Sequence, residues 1–138
     1  MTSGGLTSGG VTSGGVTRGV VVADDDPDIL LLVTIAVRKA GLDLLAAVGD
    51  GEAALAAIRE HRPFLAILDN SMPGMTGLEV CRAVRDDPSM AGMRLVMLSA
   101  SVDEEAQQVA AGAGVDQFRI KPFSPREFAE FLSTDAVP

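Results

Sequence analysis

The stretch FLAILDNSMPG, residues 64–74, decides how the chain is read. An unbroken apolar run gives way at Asp69 to an acid, an amide and a hydroxyl in succession, followed by Met-Pro-Gly. A strand with one wet face alternates polar and apolar residues. An uninterrupted run means that both faces are covered, the condition of a strand in a parallel sheet with helices on either side. Asp69 then stands at the strand's carboxyl end. A residue there either opens the Pro-Gly turn or belongs to a site, because open α/β sheets bind ligands outside the carboxyl ends of their strands.

Working outward, four more runs read as strands: VVVA (20–23), LLAAV (44–48), RLVML (94–98) and QFRI (117–120). Helix-start signals lie between and after them. Asp26 precedes Pro27, Asp50 opens the second helix, and Thr76/Glu79, Ser101/Glu104 and Ser124/Glu127 read as capping boxes, with Pro125 at the first helical position of the last. Strands alternating with helices at this spacing give right-handed βαβ units, hence a doubly wound α/β sheet.

The strand ends then carry a set of polar groups: Asp24 and Asp25, Asp69, Ser99, and Lys121 before Pro122. Asp26 is better used as a helix N-cap. Three carboxylates at one rim repel one another unless positive charge sits among them. An oxygen-seeking divalent cation, together with the lysine ammonium, offsets that repulsion. Mg²⁺ suits such a site, since it takes few protein ligands and is commonly completed by phosphate oxygens. A carboxylate beside Mg²⁺, an ammonium and a hydroxyl is a phosphoryl acceptor: Asp69 would attack phosphorus, the cations would take up charge, and Ser99 would donate a hydrogen bond.

Composition bounds the rest. The chain has 138 residues, 47% of them hydrophobic, and no apolar run long enough to span a bilayer. Its start carries no signal for export and its single Cys81 has no internal disulfide partner, so a cytoplasmic place is expected. A net charge of −8 without clustered Lys or Arg argues against direct binding to nucleic acid or to an anionic membrane. Residues 2–16 read TSGGL, TSGGV, TSGGV, a repeat that matches neither helical nor strand periodicity. Residues 1–18 are accordingly expected to be a flexible arm, and residues 19–138 one domain.

The ordered set VVVADDDPDIL, LAILDNSMPGMTGLEV, LVMLSAS and FRIKPF resembles the receiver domain of two-component response regulators, over about residues 20–133. That resemblance implies a flavodoxin-like, five-stranded parallel sheet of order 2-1-3-4-5. It implies phosphorylation of Asp69 by a phosphohistidine on a histidine kinase or phosphotransfer protein, and a conformational switch read by a downstream partner. Asp24, Asp25, Asp69 and the Ser71 carbonyl would hold Mg²⁺, and Lys121 would pair with the phosphoryl group. Ser99 would swing toward it, and Phe118 would be the aromatic switch. A cis bond would precede Pro122. Phe118 lacks the hydroxyl of the tyrosine frequent there, and the last helix, Pro125 to about Leu132, is short.

An aspartyl-phosphate hydrolase uses similar groups, but it places a second Asp two residues after the nucleophile, where this chain has Ser71. A degenerate receiver serving only as a binding module would lack the acceptor, the acid pair or the lysine. In the first helix Ile29, Leu32, Val33, Ala36 and Val37 form the stripe expected to face the sheet. Leu30, Leu31 and Thr34 are then expected on the outer side, with the two leucines as partner anchors beside the acidic rim. His61 reads as solvated, Cys81 as a small buried hydrophobe, and Met72, Met75, Met90, Met93 and Met97 as packing residues.

Overall fold

The computed structural model describes residues 18–100, 103–121 and 123–136. The Gly-rich arm through residue 17, Ser101 and the Lys121–Pro122 bond lie outside the described residues. Strands β1 (Gly19–Ala23), β2 (Asp43–Val48), β3 (Leu65–Asp69), β4 (Arg94–Ser99) and β5 (Gln117–Ile120) form one parallel sheet of order β2-β1-β3-β4-β5. They alternate with α1 (Pro27–Lys39), α2 (Gly51–His61), α3 (Gly77–Arg85), α4 (Glu104–Gly112) and α5 (Pro125–Phe131).

The uniformly apolar runs are the inner strands. Every residue of β1 and β3 is buried, whereas the edge strand β2 alternates exposed and half-buried residues. Successive side chains point to opposite faces, so each inner strand feeds two cores. Val21, Ala23, Ala66, Leu68, Leu95 and Met97 pack with α2, α3 and Ala110 of α4. Val20, Val22, Leu65, Ile67, Val96 and Leu98 pack with α1 and α5, where Phe128 stacks on Phe123 with ring centroids 4.6 Å apart. Cys81 and Met72, Met90, Met93 and Met97 are buried in the first core, and His61 is exposed at the end of α2.

Most helix starts follow the local chemistry. The Asp26 carboxylate accepts from Asp28 N at 2.9 Å, and the Asp50 carboxylate accepts from Ala53 N at 2.7 Å. Thr76/Glu79 and Ser124/Glu127 close reciprocal capping boxes. Helix α4 begins at Glu104 with Asp103 as its N-cap, accepting from Glu105 N at 2.9 Å, while the Ser101 of the third box lies outside the described residues. Two glutamates in its first turn complement the positive end of the helix.

Helix α1 differs from its expected orientation. It packs against β1, β2 and also α5, so its buried stripe is wider than sheet contact alone requires. Thr34 is buried, its hydroxyl donating to Leu31 O at 2.8 Å, and Leu30 packs against the α1–α5 core. The outward apolar residues are Leu31, 60% exposed, and Ile35, 38% exposed, one turn apart.

Candidate functional site: an acidic rim bridged by one lysine

In the order β2-β1-β3, the chain leaves β1 toward one edge of the sheet and leaves β3 toward the other, so a crevice opens between the carboxyl ends of these two strands. Asp24 and Asp25 follow β1, and Asp69 is the last residue of β3. Ser99 ends β4 and Lys121 follows β5, with Lys121 N donating to Ser99 O at 2.7 Å. The five polar residues expected at the rim are thus all at strand ends.

Three of them share one cluster. One carboxylate oxygen each from Asp24, Asp25 and Asp69 lie within 4.8 Å of one another. Asp24 and Asp69 are 1% and 3% exposed, while Asp25 is open to solvent. The Lys121 ammonium bridges the buried pair, with Nζ 3.1 Å from Asp69 Oδ1 and 2.8 Å from Asp24 Oδ2. Asp24 Oδ1 accepts from Asp26 N at 2.9 Å. Asp24 Oδ2 is buried and faces the Lys121 ammonium at 2.8 Å, and a carboxylate oxygen has lone pairs for more than one partner, so it keeps coordinating capacity. That oxygen, set among clustered carboxylates, is the donor chemistry of a hard divalent cation.

Burial pushes the Asp69 carboxyl above its ordinary range, the hydrogen bond from Lys121 opposes the shift, and the neighbouring Asp24 charge adds to it. For Lys121, burial works against the ammonium, but its contacts with Asp24 and Asp69 outweigh this and raise its pKa. The site therefore holds an excess of negative charge that one ammonium only partly offsets.

The loop after β3 is fastened at both ends. Asn70 N donates to Leu98 O at 3.0 Å, and Gly77 N donates to Asn70 O at 3.2 Å. A Cβ on Gly77 would stand 3.0 Å from Asp69 C and 3.1 Å from Asn70 Cα, so the start of α3 lies against the acceptor backbone. Ser71 is exposed on this loop, and Ser99 is buried at 8% exposure. Phe118 is half-buried and packs on the α2–α3 core. Leu31 stands outside α1, whereas Leu30 belongs to the core side.

Sequence reasoning missed Arg85. Its guanidinium donates to Gly114 O at 2.9 Å and Met93 O at 2.8 Å, and pairs with Asp116 at 2.9 Å, tying α3 to the starts of β4 and β5. Only its place in the last turn of α3 was visible, and that cannot name carbonyls distant in sequence. A groove of about 620 Å³ lined by Lys39, Arg119, Arg126 and Phe131 lies at the far end of α1 and includes none of the rim residues.

A parallel 2-1-3-4-5 sheet with buried acids and a lysine at its carboxyl rim defines a receiver-type signalling module. The profile of the response regulator receiver domain matches residues 20–133, and the chain belongs to that family. Its role is that of a phosphoacceptor in signal transduction. It is 43% identical over 108 residues to the DNA-binding response regulator MtrA of Mycolicibacterium smegmatis, covering 78% of this chain and 46% of that protein. It is 34% identical over 108 residues to the transcriptional regulatory protein PhoP of Bacillus subtilis, covering 78% of this chain and 44% of that protein. The chain thus spans about half the length of these relatives. Chemotaxis protein CheY4 of Vibrio cholerae superposes with a TM-score of 0.78 at 30% identity, covering 85% of this chain and 97% of that one.

The expectation that nucleic acid is no partner does not stand, because relatives matched over 108 residues are named DNA-binding response regulators. The net charge of −8 describes the surface of this chain alone, and the matched region is less than half of those proteins. Among the described residues no helix is long and apolar enough to cross a membrane.

Proposed function

We propose that Asp69 is the phosphoacceptor and that the reaction depends on Mg²⁺ held by the carboxylates of Asp24, Asp25 and Asp69 with the Ser71 carbonyl. The observation that carries this reading is the Lys121 ammonium bridging Asp24 and Asp69 beside a third carboxylate. Bound Mg²⁺ would neutralise charge on the phosphoryl oxygens. Asp69, with Oδ1 engaged by Lys121, presents Oδ2 to phosphorus; the bond to the donor histidine nitrogen breaks as the Asp69–phosphorus bond forms. The ammonium, freed from part of its carboxylate contact, turns to a phosphoryl oxygen. Ser99 donates a hydrogen bond to another, and Phe118 follows it inward by repacking.

Self-phosphorylation and self-dephosphorylation are the only chemistry this arrangement calls for, in a cytoplasmic setting, with a histidine kinase or phosphotransfer protein as donor. By its likeness to MtrA, the chain is read as the receiver part of a DNA-binding response regulator. Incubation with a small acyl phosphate donor and Mg²⁺ tests the assignment. The parent should gain one phosphoryl mass per chain, and Asp69→Asn should gain none. Equal gain on the variant would remove Asp69 from the role, rapid turnover of donor would indicate a hydrolase, and an unlabelled parent would indicate a binding module.

A further inference from the structure

The loop that carries Ser71 from Asp69 to α3 rests in its middle on the first turn of α2. Met72 is buried and Met75 half-buried against the α2–α3 core, and Met75 N donates to Pro73 O at 3.0 Å. The first residue of α2 is Gly51, itself buried. A Cβ there would fall inside the Met75 carbonyl group, 2.5 Å from Met75 C and 2.7 Å from Met75 Cβ. These are backbone or backbone-bound atoms, so no side-chain rotation relieves the overlap.

Helix α2 has no room to retreat. Asp50 caps it through Ala53 N at 2.7 Å, and Ala54, Leu55 and Ile58 are buried beneath it. The acceptor loop is the element that must yield, and its ends are fastened at Asn70 and Gly77. Any displacement is therefore taken up across residues 71–75. Gly92 and Gly112 show the contrast, since a Cβ on either meets nothing within 4 Å.

We propose that Gly51 is a positioning residue: lacking a Cβ, it lets the Met75 carbonyl seat on α2 and thereby sets the Ser71 carbonyl and Asp69 carboxylate at the spacing that Mg²⁺ requires. This rests on the reading of the rim as a Mg²⁺-dependent phosphoacceptor. Mg²⁺ demands near-ideal octahedral geometry and tolerates a shifted ligand poorly. A misplacement of about 1 Å in such a site costs on the order of 100-fold in rate.

The test compares the parent with Gly51→Ala, Gly92→Ala and Val84→Ala, the last opening a cavity in the same core. Each is titrated with MgCl₂ while the melting temperature is followed by calorimetry, and labelled with an acyl phosphate donor. Gly51→Ala should raise the Mg²⁺ dissociation constant by at least about tenfold, as fitted both to the dependence of melting temperature on MgCl₂ and to the saturation of labelling. Gly92→Ala and Val84→Ala should keep the parent's dissociation constant, whatever their melting temperature without metal. An unchanged dissociation constant in Gly51→Ala overturns the inference while a labelled parent leaves the phosphoacceptor reading intact. An unlabelled parent that shows no Mg²⁺ effect overturns both. Should Gly51→Ala fail to fold, the parent decides by NMR. MgCl₂ should move the amide resonances of Gly51 and Met75 together with those of Asp69 and Ser71, and a stationary Gly51 overturns the proposal.

Discussion

Asp69 is held at 3% exposure beside Asp24 at 1%, and a carboxylate in that position is less comfortable ionised than it is in the unfolded chain. The direction of its shift fixes a sign. With a folded pKa above the unfolded value near 3.8, the native state binds a proton more tightly, so ionised Asp69 costs stability at neutral pH. Without Mg²⁺, Asp69→Asn should therefore melt higher than the parent at pH 7. The difference should shrink as pH falls through the raised Asp69 pKa and vanish only below 3.8, where the acid is neutral in both states. Calorimetry is the suitable probe, because the chain has no Trp or Tyr. A variant that melts below the metal-free parent at pH 7 would show that the Lys121 contact outweighs burial and the Asp24 charge. At this scale the rim was legible because each of its residues stands at the end of a stretch that reads as a strand, although the one before Lys121, QFRI, is half polar. Gly51 was not, because its role is a missing atom opposite a carbonyl far along the chain.

Elements reveal what residue types cannot. The periodicity of α1 allowed two adjacent stripes, and packing against α5 as well as the sheet turned Leu30 and Thr34 inward. Leu31 and Ile35 remain as the exposed apolar pair in the second and third turns from the Asp24–Asp25 rim. Replacing both by Glu should leave labelling by a small donor at the parent rate and slow transfer from the cognate phosphohistidine protein, since docking alone is altered. Transfer at the parent rate would move the docking face elsewhere. Arg85 poses a different kind of question, because it satisfies carbonyls at the entrances of two strands. Arg85→Met keeps the apolar stem and loses the charge-assisted hydrogen bonds, and should cost about 2–4 kcal/mol in denaturant unfolding. A cost below about 0.5 kcal/mol, the range of ordinary surface changes, would mean that water replaces the guanidinium freely.

Across the whole molecule, the fold was legible because inner strands, caps and rim residues agree with one another, and such agreement between levels is what specifies one structure. Strand order came with the resemblance, since five apolar runs do not state which neighbours pair. The two cores share one sheet, so ligand at the rim should protect residues remote from it, and Cys81 can report this. It is fully buried between α2, α3 and the sheet, and burial pushes its thiol up to about 12 from 9.0. Native Cys81 is thus closed to alkylating reagents and reacts only when the domain opens. The unfolded chain releases the thiol proton first, so stability falls as pH rises from 9.0 toward 12, and labelling should accelerate over that window more steeply than thiolate chemistry alone predicts. At pH 8, Mg²⁺ at ten times its dissociation constant should slow labelling about tenfold, because only the folded state binds it and opening becomes rarer by that factor. If labelling is indifferent to Mg²⁺, Cys81 is reached by a local opening of the α2–α3 face that leaves the acidic rim assembled.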